Sequence, residues 1–415
     1  MAASVAVLGG GMVGVSCALE LQRLGFEVTL LDRQDPGKET SYGNAGVLAR
    51  SSLMPMNNPG LWKLLPKLLT NRTASLRYNI PFLIGNMGWA LRFLASTRQS
   101  VFEETTAALN SLIVSSTGEH LRLMKEADAL ARLTESGWIF LYRSEDGFLG
   151  SALTRSEFDK HGVSYENLDA RGLQELEPSL SPIFQKAIWI KDAKSVDSPG
   201  GLVEAYARLF ASRNGRIEKF DVSRVQEDGD AWTTLSHSGE RRRTDRVVVA
   251  LGPWAPEILG RMKIRVPMGF ERGYHMHYAA KGNARLGRPI YDTGGGYVMS
   301  PMEQGIRLTT GSELNFCDAQ KNPAQLGMSE RAAREAFPLA ERLEGEPWMG
   351  RRPTMPDSRP VIGEMPGRPG LWLAFGHQHI GFSTGPGTAK LLGELMMGAA
   401  PDIDPKPFRP QRFLS

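Results

Sequence analysis

The first 32 residues constrain this chain more than any other segment. Ser4 to Leu8 (SVAVL) is a short apolar run suited to a buried parallel strand. Gly9, Gly11 and Gly14 follow at GxGxxG spacing, and Val13, Cys17, Leu21 and Leu24 then recur at helical spacing up to Gly25, a helix C-cap residue. Glu27 to Leu31 (EVTLL) reads as a second strand with Asp32 at its end, which completes a βαβ unit. Each part has a task. Gly9 permits the tight turn, Gly11 lets backbone N–H groups approach a pyrophosphate, and Gly14 lets helix and strand pack closely. The helix N-terminus presents its positive dipole end to phosphate. Asp32 stands where a carboxylate accepts hydrogen bonds from a ribose diol, so the unit predicts a dinucleotide site.

The fingerprint alone does not choose between NAD and FAD. Arg33 would suit a 2′-phosphate, but Asp32 would repel one. Asp32 is followed by a polar, glycine-containing loop, KETSYGNAGVLARSS, where an NAD domain would place its next strand. A long extended loop there can run beneath the flavin end of FAD, and this favours FAD.

The remaining composition narrows the class. At 415 residues, two domains are expected rather than one. Hydrophobic residues make up 41% and charged residues 23%, as in ordinary soluble proteins, and a net charge of only +4 argues against a nucleic-acid partner. The run Arg241-Arg242-Arg243 follows a turn-like Ser238-Gly239 and is expected to be a solvated hairpin arm. Cys17 and Cys317 are far apart and lack a CxxC partner, so neither a disulfide framework nor a metal site is expected. The apolar start has no basic flank or cleavage site, so the expected location is cytoplasmic. No apolar run reaches the ~18–20 residues needed to span a bilayer. Leu61 to Ser96, with Trp62, Lys63, Lys67, Arg72, Arg77 and Arg92, suits either a helix lying on a membrane surface or a buried helix with a basic outer face.

Further along, Leu61 to Leu133 is expected to be mainly helical and Trp138 to Tyr142 a short strand. Pro199 to Ser212 should form a helix. Arg216 to Val225 and Trp232 to Leu251 should form strands, the last ending in the buried run RVVVALG. Tyr297 to Met302 and Ile306 to Gly311 flank a hairpin turn at Glu303-Gln304-Gly305. A helix is expected from Ser329 to Phe337, a strand from Leu371 to Phe375, and a helix opening near Gly385 after a loop rich in glycine and histidine.

Five segments, in order, resemble the D-amino-acid oxidase superfamily of FAD-dependent oxidoreductases, and more closely its bacterial D-amino-acid dehydrogenase branch. They are LGGGMVGVSCALELQRLGFEVTLLDR, ETSYGNAG, ERGYH, GRRPTMPDSRPVIG and FGHQHIGFSTGP. The resemblance implies an α/β fold in which a Rossmann-like FAD-binding domain (residues 1–50, 160–260 and 350–400) interleaves with an α+β substrate domain. The latter (51–159 and 261–349) carries a mainly antiparallel sheet, and 401–415 form a C-terminal tail. By similarity, Gly9, Gly11, Val13 and Gly14 hold the pyrophosphate and Asp32 the adenosine ribose, with Met12 and Arg33 also cofactor-binding. Ser41, Asn44, Ala45 and Gly46 line the flavin side, Val222 contacts adenine, and Ala250 and Gly252 close over the cofactor. Gly381, Phe382, Ser383 and Thr384 lie at the pyrimidine edge of the ring, where donors and a helix dipole stabilise negative charge.

The same resemblance assigns Arg352 to the substrate carboxylate, a task that suits a planar guanidinium. Strand alternation lets only one of Arg351 and Arg352 point inward. Tyr274 or His275 supplies a second polar wall, and His379 or His377 stands beside the flavin. Tyr274 and His379 join Arg352 as the expected substrate-site residues. Related enzymes that hold flavin covalently do so through a cysteine in the segment matching GRRPTMPD; none is present, so non-covalent FAD is expected.

The implied reaction is hydride removal from the α-carbon of a D-amino acid, with D-proline or hydroxy-D-proline as the favoured substrates. The alternatives are a glycine, sarcosine or opine enzyme, a flavin-carrying subunit of a larger complex, and a nicotinamide-dependent enzyme. Oxidase or dehydrogenase behaviour and the oligomeric state stay open. A membrane quinone is the acceptor considered, with peripheral contact at the inner membrane.

Overall fold

The computed structural model describes residues 2–413. The glycine-rich start folds as its spacing predicts, into strand Ser4–Leu8, helix Met12–Arg23 and strand Glu27–Asp32. The helix ends at Leu24 because Gly25 takes φ +91°, a left-handed conformation that glycine adopts without a Cβ clash. Arg216–Lys219 and Arg246–Val249 pair parallel on either side of these strands. Leu371–Phe375 adds a fifth parallel strand and Val361–Glu364 closes the edge antiparallel, giving a six-stranded sheet. Val247, Val248 and Val249 are all fully buried, each contributing about 1.5–3 kcal/mol through its side chain.

Both faces of this sheet are covered, which explains its unbroken apolar strands. On one face lie helices Met12–Arg23, Gly381–Met396, Gln99–Glu126 and Pro199–Ser212, packed through Leu21, Leu112, Phe210 and Leu392. On the other lie helix Ala255–Arg261 and an antiparallel sheet of Val222–Asp228, Ala231–Ser236 and Arg241–Thr244. The basic run forms the exposed arm expected of it, with Arg242 paired to Glu218 at 2.6 Å and Arg243 to Asp228 at 3.0 Å.

An eleven-stranded, mainly antiparallel sheet is organised on the long strand Gly269–Ala280. Trp348–Thr354 pairs along one side; Ser312–Leu314 and Gly305–Thr310 pair along the other. The order continues through Tyr297–Met302, Ile290–Asp292, Trp138–Tyr142, Lys186–Ile190 and Tyr165–Asp169. Tyr274, Met276 and Tyr278 point into a core with Leu308, Met299 and Ile139. Alternation sends Glu271, Gly273 and His275 to the opposite face. The architecture is α/β with a mainly antiparallel second sheet.

Sheet membership does not change at residues 160 or 350, where boundaries were expected. Tyr165–Asp169, Lys186–Ile190 and Trp348–Thr354 all hydrogen-bond within the eleven-stranded sheet. Two helices begin earlier than their sequence signals. One spans Ala324–Ala336 rather than starting at Ser329, and the last spans Gly381–Met396, so Pro386 lies inside its second turn. The segment 61–133 holds helices Leu61–Leu69, Ile80–Gly85, Met87–Ala95 and Gln99–Glu126, with strand Leu76–Tyr78 between the first two. The Lys67 side chain lies outside the described residues. The C-terminal tail docks through Arg412, which donates to Asp357 at 2.7 Å and to the Arg359 carbonyl at 2.6 Å.

Candidate active site

A cavity of about 730 Å³ takes wall residues from both large sheets. At one end it meets the start of helix Met12–Arg23, where Gly9, Gly11, Met12 and Val13 form the wall. A Cβ on Gly9 would stand 2.5 Å from the Ala250 carbonyl oxygen, and one on Gly14 would stand 1.8 Å from that of Gly9. Gly14 therefore serves the packing of helix on strand and is absent from the wall. Asp32 accepts from the Gly10 N–H and, at 2.7 Å, from the Gln34 N–H. Burial raises its carboxyl above the ordinary range, and those two donors oppose the shift. Arg33 pairs with Glu39 at 2.7 Å, and its guanidinium lies 4.1 Å over the Trp254 ring.

The loop after Asp32 closes the middle of the cavity. Ser41 Oγ accepts from the Met12 N–H at 2.9 Å, satisfying one first-turn donor of the helix. Asn44 accepts from the Gly46 N–H at 2.8 Å. Arg307 anchors the loop by donating to the carbonyls of Tyr42 (2.8 Å) and Asn44 (2.6 Å). Ala45, Val222, Ala250 and Gly252 also reach the wall, as do Gly381, Phe382 and Ser383 from the last helix. Gly46 and Thr384 do not. Gly46 takes φ +74° against the Val196 carbonyl, and Thr384 turns inward to donate to Ile380 O at 2.9 Å. A glycine cradle, a helix N-terminus, a carboxylate at the next strand end and an elongated cavity fit FAD.

At the other end, Arg352 enters the cavity from strand Trp348–Thr354, in register with Glu271. Its guanidinium lies across Gly273, where a Cβ would stand 2.4 Å from Nη2. Among the described residues its one side-chain hydrogen bond goes to Ser312 Oγ, at 3.0 Å. Ser312 in turn donates to Glu271 at 2.8 Å, and Thr354 donates to the other Glu271 oxygen at 2.6 Å. Burial lowers the Arg352 pKa, and the Glu271 charge opposes the shift. Arg351 points elsewhere, donating to the Cys317 carbonyl at 2.7 Å. Glu271, Ser312 and Thr354 escaped the sequence reading, although ERGYH contains Glu271. Taking residues 271 and 273 together at a period of two was the available signal.

The two loop histidines separate. His377 is buried, in hydrogen-bond contact with Thr388 Oγ1 at 2.9 Å, and burial pushes its pKa down to about 3. His379 is exposed to the cavity. The enclosing walls and the nearby Arg352 cation hold it below the ordinary histidine range against the opposing Glu271 charge. The loop carrying both is pinned beside Arg352 by the Gln378 N–H, which donates to Pro353 O at 2.9 Å.

Tyr274 reaches the cavity wall, but its hydroxyl is engaged elsewhere. Its side chain turns to the opposite face of the sheet, where its hydroxyl accepts from Arg272 at 2.8 Å and from the Asn322 N–H at 2.7 Å. His275 faces the cavity side but is covered by Trp348, stacked at 4.8 Å and 16°. Trp348 itself lines the cavity over Gly43 and Gly350, where added Cβ atoms would stand 1.7 and 2.3 Å from its ring. His275, His277 and Glu344 lie close enough to share a metal ion. However, His277 Nε2 accepts from Arg307 at 3.0 Å. Its proton then sits on Nδ1, which faces Glu344, so no lone pair is free there for a metal.

The family described as "DAO: FAD dependent oxidoreductase" matches residues 4–395. A D-amino-acid oxidase of Bradyrhizobium diazoefficiens is 28% identical over 99% of both chains. A D-amino acid dehydrogenase of Sinorhizobium medicae is 28% identical over 96% of this chain and 97% of its own. Among solved structures, glycine oxidase from Geobacillus kaustophilus superposes with a TM-score of 0.75 at 21% identity, covering 98% of each chain. L-proline dehydrogenase from P. horikoshii gives 0.74 at 17% identity, covering 100% of this chain and 98% of that one.

Proposed function

The chain belongs to the DAO family of FAD-dependent oxidoreductases, and within it we propose a dehydrogenase that oxidises a D-amino acid with a compact apolar side chain, D-proline or hydroxy-D-proline foremost. The observation that carries this reading is the Arg352 guanidinium, held in an enclosed cavity where its one side-chain hydrogen bond among the described residues runs from Nη1 to Ser312. Such a group calls for a carboxylate, and a bidentate pair is the strong form of that contact. Relatives named for D-amino acids support the configuration. The apolar wall of Met54, Met56, Leu61 and Leu76 supports a carbon side chain on the substrate, which glycine would leave without a contact.

Bound FAD supplies a two-electron acceptor for the hydride leaving the α-carbon. Arg352 fixes the carboxylate and with it the position of the α-hydrogen, the orientation effect that does much of the work in such reactions. Glu271, oriented by Ser312 and Thr354, balances the guanidinium before substrate enters. His379 stays neutral beside this pair and can accept a proton from the substrate ammonium, whose loss must precede hydride departure. The imine product hydrolyses to a 2-oxo acid and ammonia, or remains cyclic when the nitrogen is secondary.

The same reading makes the acceptor a membrane quinone. Helix Leu61–Leu69 turns Leu61 and Leu68 to the cavity while Trp62, Leu64 and Leu69 stand 53%, 55% and 66% exposed. No helix among the described residues is long and apolar enough to cross a membrane. Neither cysteine reaches the cavity wall, Cys17 being buried in the first helix, and this supports non-covalent FAD. Acid precipitation is expected to release all the flavin; colour retained on the polypeptide would overturn this. The central test is an anaerobic screen of D-proline, hydroxy-D-proline, D-alanine, glycine and sarcosine with their L-isomers. Rapid bleaching by the D-imino acids is expected; bleaching by an L-isomer or by glycine alone would sink the assignment.

A further inference from the structure

The last helix contains a proline where none should be comfortable. Pro386 lacks the N–H that would donate to the carbonyl of Phe382 four residues earlier. That carbonyl belongs to the turn lining the cofactor end of the cavity, so an unpaired group there would be buried and costly. It is not unpaired. His120, two turns from the C-terminal end of helix Gln99–Glu126 and 1% exposed, brings Nε2 to 2.9 Å from Phe382 O. A carbonyl can only accept, so Nε2 carries the proton and Nδ1 is an acceptor; the Tyr206 hydroxyl lies 3.1 Å from both Nδ1 and the His120 carbonyl, which share its one proton. Burial pushes the His120 pKa down to about 4, consistent with this single neutral tautomer. One turn further on, the Gly387 N–H donates to Ser116 Oγ at 3.0 Å on the same long helix. A Cβ at Gly387 would stand 2.8 Å from the Leu112 carbonyl.

We infer that His120 is a positioning residue for the cofactor-facing turn Gly381–Ser383, supplying from a neighbouring helix the hydrogen bond that Pro386 removes. The proline leaves the Phe382 carbonyl free to be aimed from outside, and His120 aims it away from the cavity. The first-turn N–H groups of the helix, which have no intrahelical acceptor, are thereby held toward the cofactor. This rests on the chain binding FAD; a wild-type protein that purified without flavin would refute that premise separately.

The experiment uses the full chain and three variants, His120→Leu, His120→Gln and His120→Leu combined with Pro386→Ala. The readouts are FAD dissociation constant, visible flavin spectrum and midpoint potential. His120→Leu should weaken FAD binding about tenfold and shift the spectrum. His120→Gln, which keeps a donor, should stay within about threefold of wild type. Pro386→Ala restores the helical N–H to Phe382 O, so the double variant should recover binding, or solubility if the single variant is insoluble. A His120→Leu protein with unchanged affinity and spectrum overturns the inference. So does a double variant no better than His120→Leu, which would reduce His120 to packing.

Discussion

Arg351 and Arg352 are neighbours in sequence with opposite surroundings, and their substitution should separate them sharply. Arg352→Lys loses the planar fork and moves the charge, so kcat/KM should fall by roughly 10²- to 10³-fold, about 3–4 kcal/mol, in steady-state assays. Arg351→Lys should change it by less than about threefold, because Arg351 is engaged with a backbone carbonyl of the 317 loop. Equal losses for the two would place the carboxylate elsewhere. The sequence limited the inward arginine to one of the pair through the period of a strand, but a period carries no phase. The phase comes from the pairing of Arg352 with Glu271 and from the space above Gly273. The direction of the Tyr274 hydroxyl was hidden for the same reason. Tyrosine and histidine are adjacent and both polar, and only the register shows that the tyrosine serves a network with Arg272 and Glu313 on the far face.

At the scale of elements, the segment from Leu61 to Leu91 presents Trp62, Leu64, Leu69, Ile80, Ile84, Met87 and Leu91 on its surface, each at least 49% exposed. Apolar side chains gathered so densely, with lysine and arginine among them, suit an interfacial seat on anionic lipid. The full chain should float with vesicles containing phosphatidylglycerol, and Trp62→Glu with Leu69→Glu and Ile84→Glu should abolish this while leaving FAD bound. Equal flotation of the variant, or none for wild type, would end the membrane proposal. Elements with a strong local pattern were legible almost to the residue, as Trp138–Tyr142, Pro199–Ser212 and Leu371–Phe375 show. The start of the final helix was not, because Pro386 looks like a first-turn residue. A donor 266 residues upstream is what lets it sit deeper.

For the whole molecule, buried histidines set a pH dependence. His120 and His377 are held near 4 and 3 by burial, below the ordinary value of about 6.5. Between those limits the unfolded chain binds more protons than the folded one, so stability falls as the pH drops below about 6.5. The slope is up to about 1.4 kcal/mol per pH unit for each histidine. Urea midpoints should decline between pH 7 and pH 5, and His377→Gln should flatten the decline by one proton's worth; a flat wild-type profile would contradict both assignments. The interleaving of the two sheets was visible only through the order of dispersed motifs, since no local pattern tells which strands meet. It also has a consequence in time. In the dinucleotide sheet, Ser4–Leu8 pairs with Arg246–Val249, which in turn pairs with Leu371–Phe375. At about 5–20 residues per second, a ribosome needs tens of seconds to deliver that last strand. Contacts so far apart along the chain make for slow closure, so the nascent protein must hold a half-built, strongly apolar sheet throughout. Chaperone dependence during synthesis, and a cofactor that binds only after release, are the expected price of this topology.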